Sequence, residues 1–397
     1  MKKSFKISEN FYQEALFTFK SNKCFCAIDE INLSPTEKRN VIKVTSINAE
    51  NIKFAFQPKD GLVRVSQHTG AVEESNILNS LLSIEEYNID KYKKFFEKNG
   101  FFYPISGDHF EEINDESLMF IVDKLKATVE LMSQISEIQR KDYKKLLSLT
   151  LYLLLEDNIA VKVANYDFKS CYHKKLMDEI NNAKEIKDNT FYLKVDENFD
   201  FEVKDTIYGK CKLNLDEYRH LTSDPEVLND FWRAIIRSYV NRTSIDGDTR
   251  LIIEVLYHVF FEIGWFWQVD KNGIIFAIPE ENVKWDKFDD KLKQAIIKVA
   301  KITVTEEINS HLDGIYPEYD YSIMEPRWRV ESLISALYFS IFYMKPNVEL
   351  TRICANPRCH KYFTVSRTSV KKKYCCPECA NRDSQNRYRA KQKGSQV

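Results

Sequence analysis

The sequence predicts an α+β protein in three parts: a mixed α/β region over residues 1–110, a mainly helical body with short hairpins over 111–345, and a small C-terminal module over 346–397. Three observations support this prediction. Apolar residues alternate with the period of a β-strand in the first part, they recur with helical spacing in the second, and four cysteines fall close together in the third. A chain of 397 residues is also longer than one hydrophobic core usually serves, which favours several domains.

The first part contains the clearest strand signals. Apolar and polar residues alternate over 41–46 and 52–57, and again over 61–66 after a turn signal made of proline, lysine, aspartate and glycine. These stretches predict a small sheet. Residues 84–99 then show helical spacing, which ends at Gly100, a residue suited to the position that follows a helix.

Helical spacing dominates the second part. The predicted helices are 115–157, divided in two near Ile138, a helical stretch from about residue 225, and the segments 286–310 and 328–344. Hairpins are predicted at 190–204, where the hydrophobic period shortens, and where 265–269 meets 274–278 across a turn that ends at Gly273. Pro346 marks the boundary before the third part.

Composition predicts a folded protein of the reducing cytoplasm. Hydrophobic residues make up 44% of the chain and charged residues 29%, which argues against extended disorder. The N-terminal charges are not followed by the apolar run of a secretory signal, and no apolar stretch approaches the roughly 20 residues of a spanning helix. Nine cysteines without a regular, even framework do not predict disulfides, so the thiols are available to metal.

Four cysteines in the third part have the spacing of a metal site. Cys354 and Cys359 form a C-x4-C pair, and fifteen residues separate it from a C-x3-C pair, Cys375 and Cys379. Two pairs joined by one loop can close a tetrahedral shell of four thiolates around one Zn²⁺ ion, and a closed shell makes the metal structural rather than catalytic. Cys376 is an alternative to Cys375, since it would give a C-x2-C pair.

The residues between and after these cysteines predict how the module folds. Residues 361–365 alternate like a strand, and Pro377 suits the first position of a closing helix. Phe363 and Tyr374 are predicted to form a miniature core, and His360 is interpreted as an exposed loop residue. Because so small a module buries little apolar surface, metal binding, worth about 10–16 kcal/mol in zinc-finger peptides, would supply its folding free energy.

Positive charge is concentrated in the third part. Residues 352–393 hold 12 of the 58 lysines and arginines but two of the 59 acidic residues, a net charge of +10, which leaves the rest of the chain at −11. This asymmetry predicts a polyanionic partner, a nucleic acid. The predicted contact residues are Lys371, Lys372, Lys373, Asn381, Arg382, Gln385, Asn386, Arg387, Arg389, Lys391 and Lys393. Those at 382, 385, 386 and 389 would share one helix face, where arginine and amide side chains can read base edges.

The same residues resemble a known motif. The segments CANPRC from Cys354 to Cys359 and CANR from Cys379 to Arg382, with an aromatic pair after the first and Tyr374 before Cys375, resemble the CGNR zinc finger of bacterial proteins. Residues 309–317 and 328–344 are similar to segments that precede this finger. Such proteins often pair the finger with an ABATE-type domain and are regarded as stress-responsive transcription regulators, so the resemblance implies a zinc finger that binds DNA. Ala380 stands where the motif has glycine.

These observations favour a DNA-binding regulator of transcription whose acidic body senses a signal or forms a homodimer, which would add affinity to a single short module. Two alternatives remain: an RNA-binding effector or enzyme to which the module delivers substrate, and an adaptor whose module binds an acidic protein.

An enzyme is disfavoured, because the sequence lacks the motifs G-x-G-x-x-G, G-x-x-x-x-G-K, H-E-x-x-H and G-x-S-x-G. Isolated histidines such as His173, His220 and His258 are interpreted as packed or surface residues. The scattered cysteines, Cys211 among them, are interpreted as small buried residues.

Overall fold

The fold is described from a computed structural model. The structure describes residues 15–32, 34, 38–57, 60–66, 69–105, 110–138, 141–155, 160–163, 166–170, 173–185, 200–223, 228–240, 246–321, 324–345, 348–366, 369 and 371–394. These residues form two compact units. The first unit lies within Met1–Glu137, Ile159–Lys169 and Ile308–Val397, and the second within Ile138–Asn158 and Ser170–Glu307.

The secondary structure is mixed α and β. The strands are β1 (Phe17–Asn32), β2 (Lys38–Gln57), β3 (Gly61–Val65), β4 (Val72–Glu74), β5 (Phe110–Asn114), β6 (Ala160–Val163), β7 (Tyr166–Lys169), β8 (Asp200–Asp205), β9 (Gly209–Asn214), β10 (Phe266–Asp270), β11 (Gly273–Phe276), β12 (Ile315–Asp320), β13 (Glu325–Val330), β14 (Glu349–Ile353) and β15 (Tyr362–Ser366). The helices are α1 (Ile77–Leu82), α2 (Ile89–Asn99), α3 (Asp115–Ser136), α4 (Tyr143–Leu155), α5 (Lys174–Glu185), α6 (Leu215–Ser223), α7 (Asp230–Val240), α8 (Gly247–Tyr257), α9 (Asp290–Ser310), α10 (Leu333–Phe342) and α11 (Pro377–Gly394).

A seven-stranded sheet organises the described part of the first unit. Its strand order is β12-β13-β1-β2-β3-β4, and β5 pairs with β2 beyond the end of β3. β1 and β2 form a long antiparallel hairpin, and β1 pairs in parallel with β13, three hundred residues away in the chain. Helices α1, α2, α3 and α10 pack against the sheet. Stacked rings of Phe17 and Phe56, with centroids 5.0 Å apart, lie in the core between sheet and α10.

The C-terminal module belongs to this first unit. Its strands β14 and β15 pair antiparallel from Glu349 opposite Ser366 to Ile353 opposite Tyr362. β14 packs on α3 and β15 on α1. The module is therefore held by the same helices that cover the sheet, and the closing helix α11 projects from it with a largely exposed surface.

The second unit is mainly helical. α5, α6 and α8 pack around α7, and α4 packs on the β10–β11 hairpin. The β8–β9 hairpin leads into α6, and α8 continues into one turn of π-helix over His258–Ile263. Among the helices described, none combines the length and the apolar composition needed to cross a lipid bilayer.

Several predicted elements are confirmed. The two helices expected over 115–157 are α3 and α4, and the second hairpin is β10 with β11. The helix predicted to end at Gly100 ends there, with the glycine at φ 82° and its N–H bonded to the carbonyl of Phe96. The two strands predicted at 41–46 and 52–57 are parts of one strand, β2. Of the hairpin predicted at 190–204, residues 190–199 lie outside the described residues, and β8 pairs with β9 instead.

The two compact units differ from the three predicted ranges 1–110, 111–345 and 346–397. Residues of the third range cluster with those of the first, because β14 and β15 contact α3 and α1. The middle range is divided between both units. The helix predicted over 328–344 also begins later than expected, at Leu333 after the N-cap Ser332, since residues up to Val330 form strand β13.

Candidate metal centre and basic groove

The four cysteines of the C-terminal module are brought together by a tight turn and a helix start. Cys354 follows the last residue of β14, and its N–H donates to the carbonyl of Lys361, while the N–H of Cys359 donates to the carbonyl of Asn356. These bonds fold 354–361 into a closed knuckle. Asn356, 3% exposed, also donates from its side chain to the carbonyl of Cys379, so the knuckle is fastened to the first turn of α11.

The geometry of the thiols suits one metal ion. The Sγ atom of Cys375 lies 3.6 Å from that of Cys359 and 3.7 Å from that of Cys379. With Zn–S bonds of about 2.3 Å, the edge of a tetrahedron of thiolates is about 3.8 Å. The ligand atoms of Cys354, Cys359, Cys375 and Cys379 all lie within 4.8 Å of one another, so these four residues can hold one metal ion.

The structure brings Cys375 rather than Cys376 into this group. The Sγ atom of Cys376, the next residue in the chain, is 3.9 Å from that of Cys375. Cys376 does not belong to the group of four cysteines whose ligand atoms converge. His360 is exposed, as predicted, and has φ 49°, which turns the chain out of the knuckle.

Electrostatics in the group favour a cation. Burial opposes ionisation of Cys359, but the N–H of Lys361 and the neighbouring cysteine side chains outweigh it and hold the pKa of this thiol below its usual value. Burial and hydrogen bonds with the neighbouring thiols raise the pKa of Cys375. Ionisation of one thiol is thus favoured while ionisation of its neighbour is opposed by burial and by the hydrogen bonds between the thiols. A divalent ion removes this conflict, since thiols that coordinate it are deprotonated.

A groove runs from the four-cysteine cluster along α11. Its volume is about 670 Å³. Its lining residues are Asn356, Arg358, Cys359, Lys361, Cys375, Cys376, Glu378, Cys379, Arg382, Gln385, Asn386 and Arg389. We call this feature the basic groove. The four α11 residues predicted to share one face therefore line one surface, and the knuckle adds two cations, Arg358 and Lys361, that were not predicted as contacts from the sequence.

The chain matches no protein-family model, no curated protein and no solved structure. The resemblance to the CGNR finger therefore stays a prediction made from motif residues.

The other predicted contact residues lie elsewhere on the module. Arg387 points away from the basic groove and pairs with Asp383 at 3.0 Å, while its Nη2 donates to the hydroxyl of Tyr374. Asn381 is exposed on α11 but does not line the groove. Lys371, Lys372 and Lys373 are exposed before the helix. Lys391 and Lys393 are in the helical backbone of α11, and their side chains lie outside the described part of the chain.

The predicted miniature core is wrong in its residues. Phe363 and Tyr374 are only partly buried, and Lys372 lies over the Phe363 ring at 5.7 Å. The buried side chains of β15 are instead Tyr362 and Val365. The reason is that β15 packs on α1 and the Tyr362 hydroxyl reaches Glu130 of α3, so burial in β15 is set by the helices of the first unit rather than by strand alternation.

Directed polar contacts fix the module to α3. The Tyr362 hydroxyl donates to Glu130, which lies on α3. Ser133 donates to the carbonyl of Thr351 at 2.8 Å, and Arg352 pairs with Glu137 at 2.7 Å. The side chains of this ion pair are 17% and 14% exposed, so solvent screens it little. The knuckle and α11 are therefore mounted on a fixed strand pair.

The ion pair between Arg352 and Glu137 should contribute measurably to stability. A double-mutant cycle with Arg352→Ala and Glu137→Ala is expected to give a coupling of about 1.5–3 kcal/mol in the free energy of unfolding, as for hydrogen bonds to charged groups in partly desolvated positions. The pair Lys38 and Glu30, exposed on the β1–β2 hairpin, is the matched control, and its coupling is expected to be near zero. Equal coupling energies for the two pairs would contradict the proposed docking.

Sequence reasoning missed one further cluster. The ligand atoms of Asp205, Cys211 and His258 lie within 4.8 Å of one another in the second unit. From the sequence, Cys211 is interpreted as a small buried residue and His258 as a packed or surface one. No spacing in the sequence connects them, since a hairpin and a distant helix end bring them together.

Proposed function

We propose that this chain is a zinc-dependent nucleic-acid-binding protein and that it acts on duplex DNA as a regulator of transcription. The observation that carries the proposal is the continuity of the four-cysteine cluster with the basic groove. Cys359, Cys375 and Cys379 form one end of the groove, and arginine and amide side chains of α11 line its length. A metal at the cysteines would thus fix the position of a cationic surface.

Zinc is the metal that best suits the donor set. Four thiolates are soft ligands, which select zinc over magnesium or calcium, and four-thiolate tetrahedral sites in proteins are typically structural. The described cysteines form no disulfide, which leaves them available to a metal. A reducing compartment keeps them so, and a cytoplasmic location is part of this proposal.

The chemistry of the groove supports a nucleic acid as partner. Arg358, Lys361, Arg382 and Arg389 offer positive charge to phosphate, and Glu378 is the one acid among the lining residues that the structure describes. Arginine can also bind guanine by two hydrogen bonds, and asparagine or glutamine can bind adenine in the same way. A single surface can therefore combine phosphate attraction with base reading.

Duplex DNA is favoured over unpaired RNA because the module exposes few tyrosine rings on which bases could stack. Stacking of unpaired bases requires exposed rings. Tyr362 is buried against the first unit, and Tyr374 is partly buried with its hydroxyl bonded to Asp383 at 2.7 Å. Tyr388 is exposed but is a single ring. An exposed helix with reading side chains along one face instead suits the major groove, and a homodimer would supply a second half-site. The resemblance to the CGNR finger also implies DNA binding.

The proposal is tested by offering random pools of duplex DNA and of single-stranded RNA to the intact protein over a salt series and sequencing what is retained. We expect enrichment of a duplex motif, with an affinity that falls steeply as salt rises because phosphate contacts release counterions. Retention of RNA in preference to duplex would replace the proposal with an RNA-binding function. Retention of neither pool would contradict nucleic-acid binding and favour the alternative of an adaptor whose module binds an acidic protein.

One lysine variant separates phosphate contacts from base reading. Lys373→Gln, outside the groove, is expected to weaken binding uniformly across duplex sequences and to reduce the slope of log affinity against log salt by about 1. Titrations of the motif and of a scrambled duplex would measure both effects. A loss confined to the motif would contradict the assignment of Lys373 to phosphate.

A further inference from the structure

The second unit contains a buried cluster with three kinds of metal-binding side chain. Asp205 ends β8, Cys211 lies on β9 and His258 begins the π-helical turn after α8. The side chains of Asp205 and His258 are fully buried, and Cys211 is partly buried. A carboxylate, a thiol and an imidazole converging in one interior position is not a typical apolar core arrangement, because each polar group must be compensated there.

Local structure aims Asp205 at this position. One carboxylate oxygen, Oδ1, accepts the N–H groups of Ile207 and Tyr208 at 2.7 Å each and so closes the β8–β9 turn. The other oxygen, Oδ2, accepts the hydroxyl of Tyr239 at 2.9 Å and lies 2.7 Å from Nε2 of His258. Backbone and tyrosine donors therefore fix the carboxylate, with one oxygen directed at the histidine.

The far side of His258 faces a second carboxylate. Its Nδ1 atom lies 2.9 Å from Oε1 of Glu262, one turn later, at ion-pair distance but without the geometry of a hydrogen bond. Metal-binding histidines commonly present one nitrogen to a carboxylate and the other to the ion, which fixes the tautomer and makes the ligand more basic. The π-helical turn over His258–Ile263 is a second, independent sign, because such turns are rare and occur frequently at functional sites.

We propose that Asp205, Cys211 and His258 form a second metal site, which takes Zn²⁺ through one oxygen, one sulfur and one nitrogen ligand. These are the three protein donor types that zinc uses. Three protein ligands leave one position of a tetrahedral shell for water, as in zinc sites that bind substrates, whereas the four-cysteine site of the C-terminal module is closed. The two sites would thus differ in chemistry as well as in place.

The geometry requires a small adjustment for this role. At 2.7 Å, Oδ2 and Nε2 are at hydrogen-bond distance, whereas two such ligands on a tetrahedral zinc ion are about 3.3 Å apart. The alternative is a histidine–aspartate ion pair closed by a proton. Metal analysis distinguishes the two, because the ion pair binds no zinc.

Metal content of the intact protein tests the site. After exhaustive dialysis we expect two zinc ions per chain, one ion in Cys211→Ser, one in Cys379→Ser and none in the double variant. Cys376→Ser, a cysteine outside both groups, is the matched control and should keep two. One ion in the intact chain that is lost completely in Cys379→Ser would overturn the second site while leaving the first intact.

A second variant keeps the test independent of folding defects. Glu262→Gln changes a half-exposed side chain and preserves its shape, so circular dichroism should be unchanged. We expect it to weaken binding of the second zinc by about 10–100-fold, the usual effect of removing a partner of a ligating histidine. Competition with a zinc-binding dye in the Cys379→Ser background would measure this. Unaltered zinc affinity in Glu262→Gln would contradict the proposed role of the Glu262–His258 contact.

Discussion

Replacing Cys379 by serine is expected to remove the metal from the four-cysteine site and to abolish sequence-specific binding of DNA. The Sγ atom of Cys379 is 3.7 Å from that of Cys375, and the residue begins the α11 surface that lines the basic groove. Specific binding typically exceeds non-specific binding by 10³-fold or more, so we expect affinity for the retained motif to fall by about that factor. Fluorescence anisotropy with a labelled duplex would measure it.

The same variant should unfold the module unevenly. β14 and β15 are held to α3 through Tyr362 and Arg352, independently of the metal, whereas the knuckle and α11 depend on it. Hydrogen exchange is therefore expected to lose protection in residues 354–361 and 377–394 and to keep it in β14 and β15. Cys376→Ser is the matched control, with unchanged exchange and affinity. Uniform loss of protection across the whole first unit would contradict this division.

The double variant Arg382→Gln with Arg389→Gln is expected to have the second largest effect. Both residues line the basic groove, and they lie on the same face of α11, two turns apart. A base contact contributes about 1–3 kcal/mol of discrimination, so the pair should weaken binding of the preferred duplex by at least about 30-fold. Binding of a scrambled duplex should weaken less, because phosphate attraction from the other cations remains.

Arg387→Gln is the matched control for this prediction. It makes the same substitution on the same helix, but Arg387 pairs with Asp383 and lies outside the groove. We expect affinity for the motif to change by no more than about threefold, as for exposed ion pairs of small energetic weight. If Arg387→Gln weakened binding as much as the double variant in the groove, the groove would not be the surface that reads DNA.

The four-cysteine cluster could be predicted because its signal is local. Cys354, Cys359, Cys375 and Cys379 lie within one short segment, and their spacing alone brings two pairs together across one loop. The start of α11 at Pro377 is equally local. The full lining of the basic groove could not be predicted in this way. Arg358 and Lys361 join the helix face because of how the knuckle folds, and the spacing of the cysteines does not specify that fold.

Strand β1 could not be recognised from alternation, for a physical reason. Phe17 and Phe19 face the core at its start, but Cys24 and Cys26 face it later. A register shift between Asn22 and Lys23 changes the phase by one residue, so no single period of two runs through the strand. The interpretation of 328–344 as one helix failed similarly, because an apolar strand end adjoins an apolar helix.

Long-range contacts account for the rest. The packing of β15 on α1 and the bond from the Tyr362 hydroxyl to Glu130 of α3 bury Tyr362 and leave Phe363 partly exposed, and Glu130 lies more than two hundred residues earlier. The cluster of Asp205, Cys211 and His258 has the same character. Sequence periodicity carries no information about which distant element an alternating strand will face.

The central claim is that the metal at the four cysteines fixes a groove that binds DNA, and a zinc add-back titration tests it most directly. Intact protein would be stripped of metal with a chelator, and zinc would then be returned while the fluorescence anisotropy of the labelled motif duplex is followed. Cys211→Ser would be titrated in parallel, so that in this variant the added zinc fills the four-cysteine site. We expect binding to be absent in stripped protein and to return in proportion to zinc, reaching its maximum at one equivalent in Cys211→Ser, with magnesium ineffective. Stripped protein that binds the duplex as tightly as the zinc-loaded protein would contradict the account.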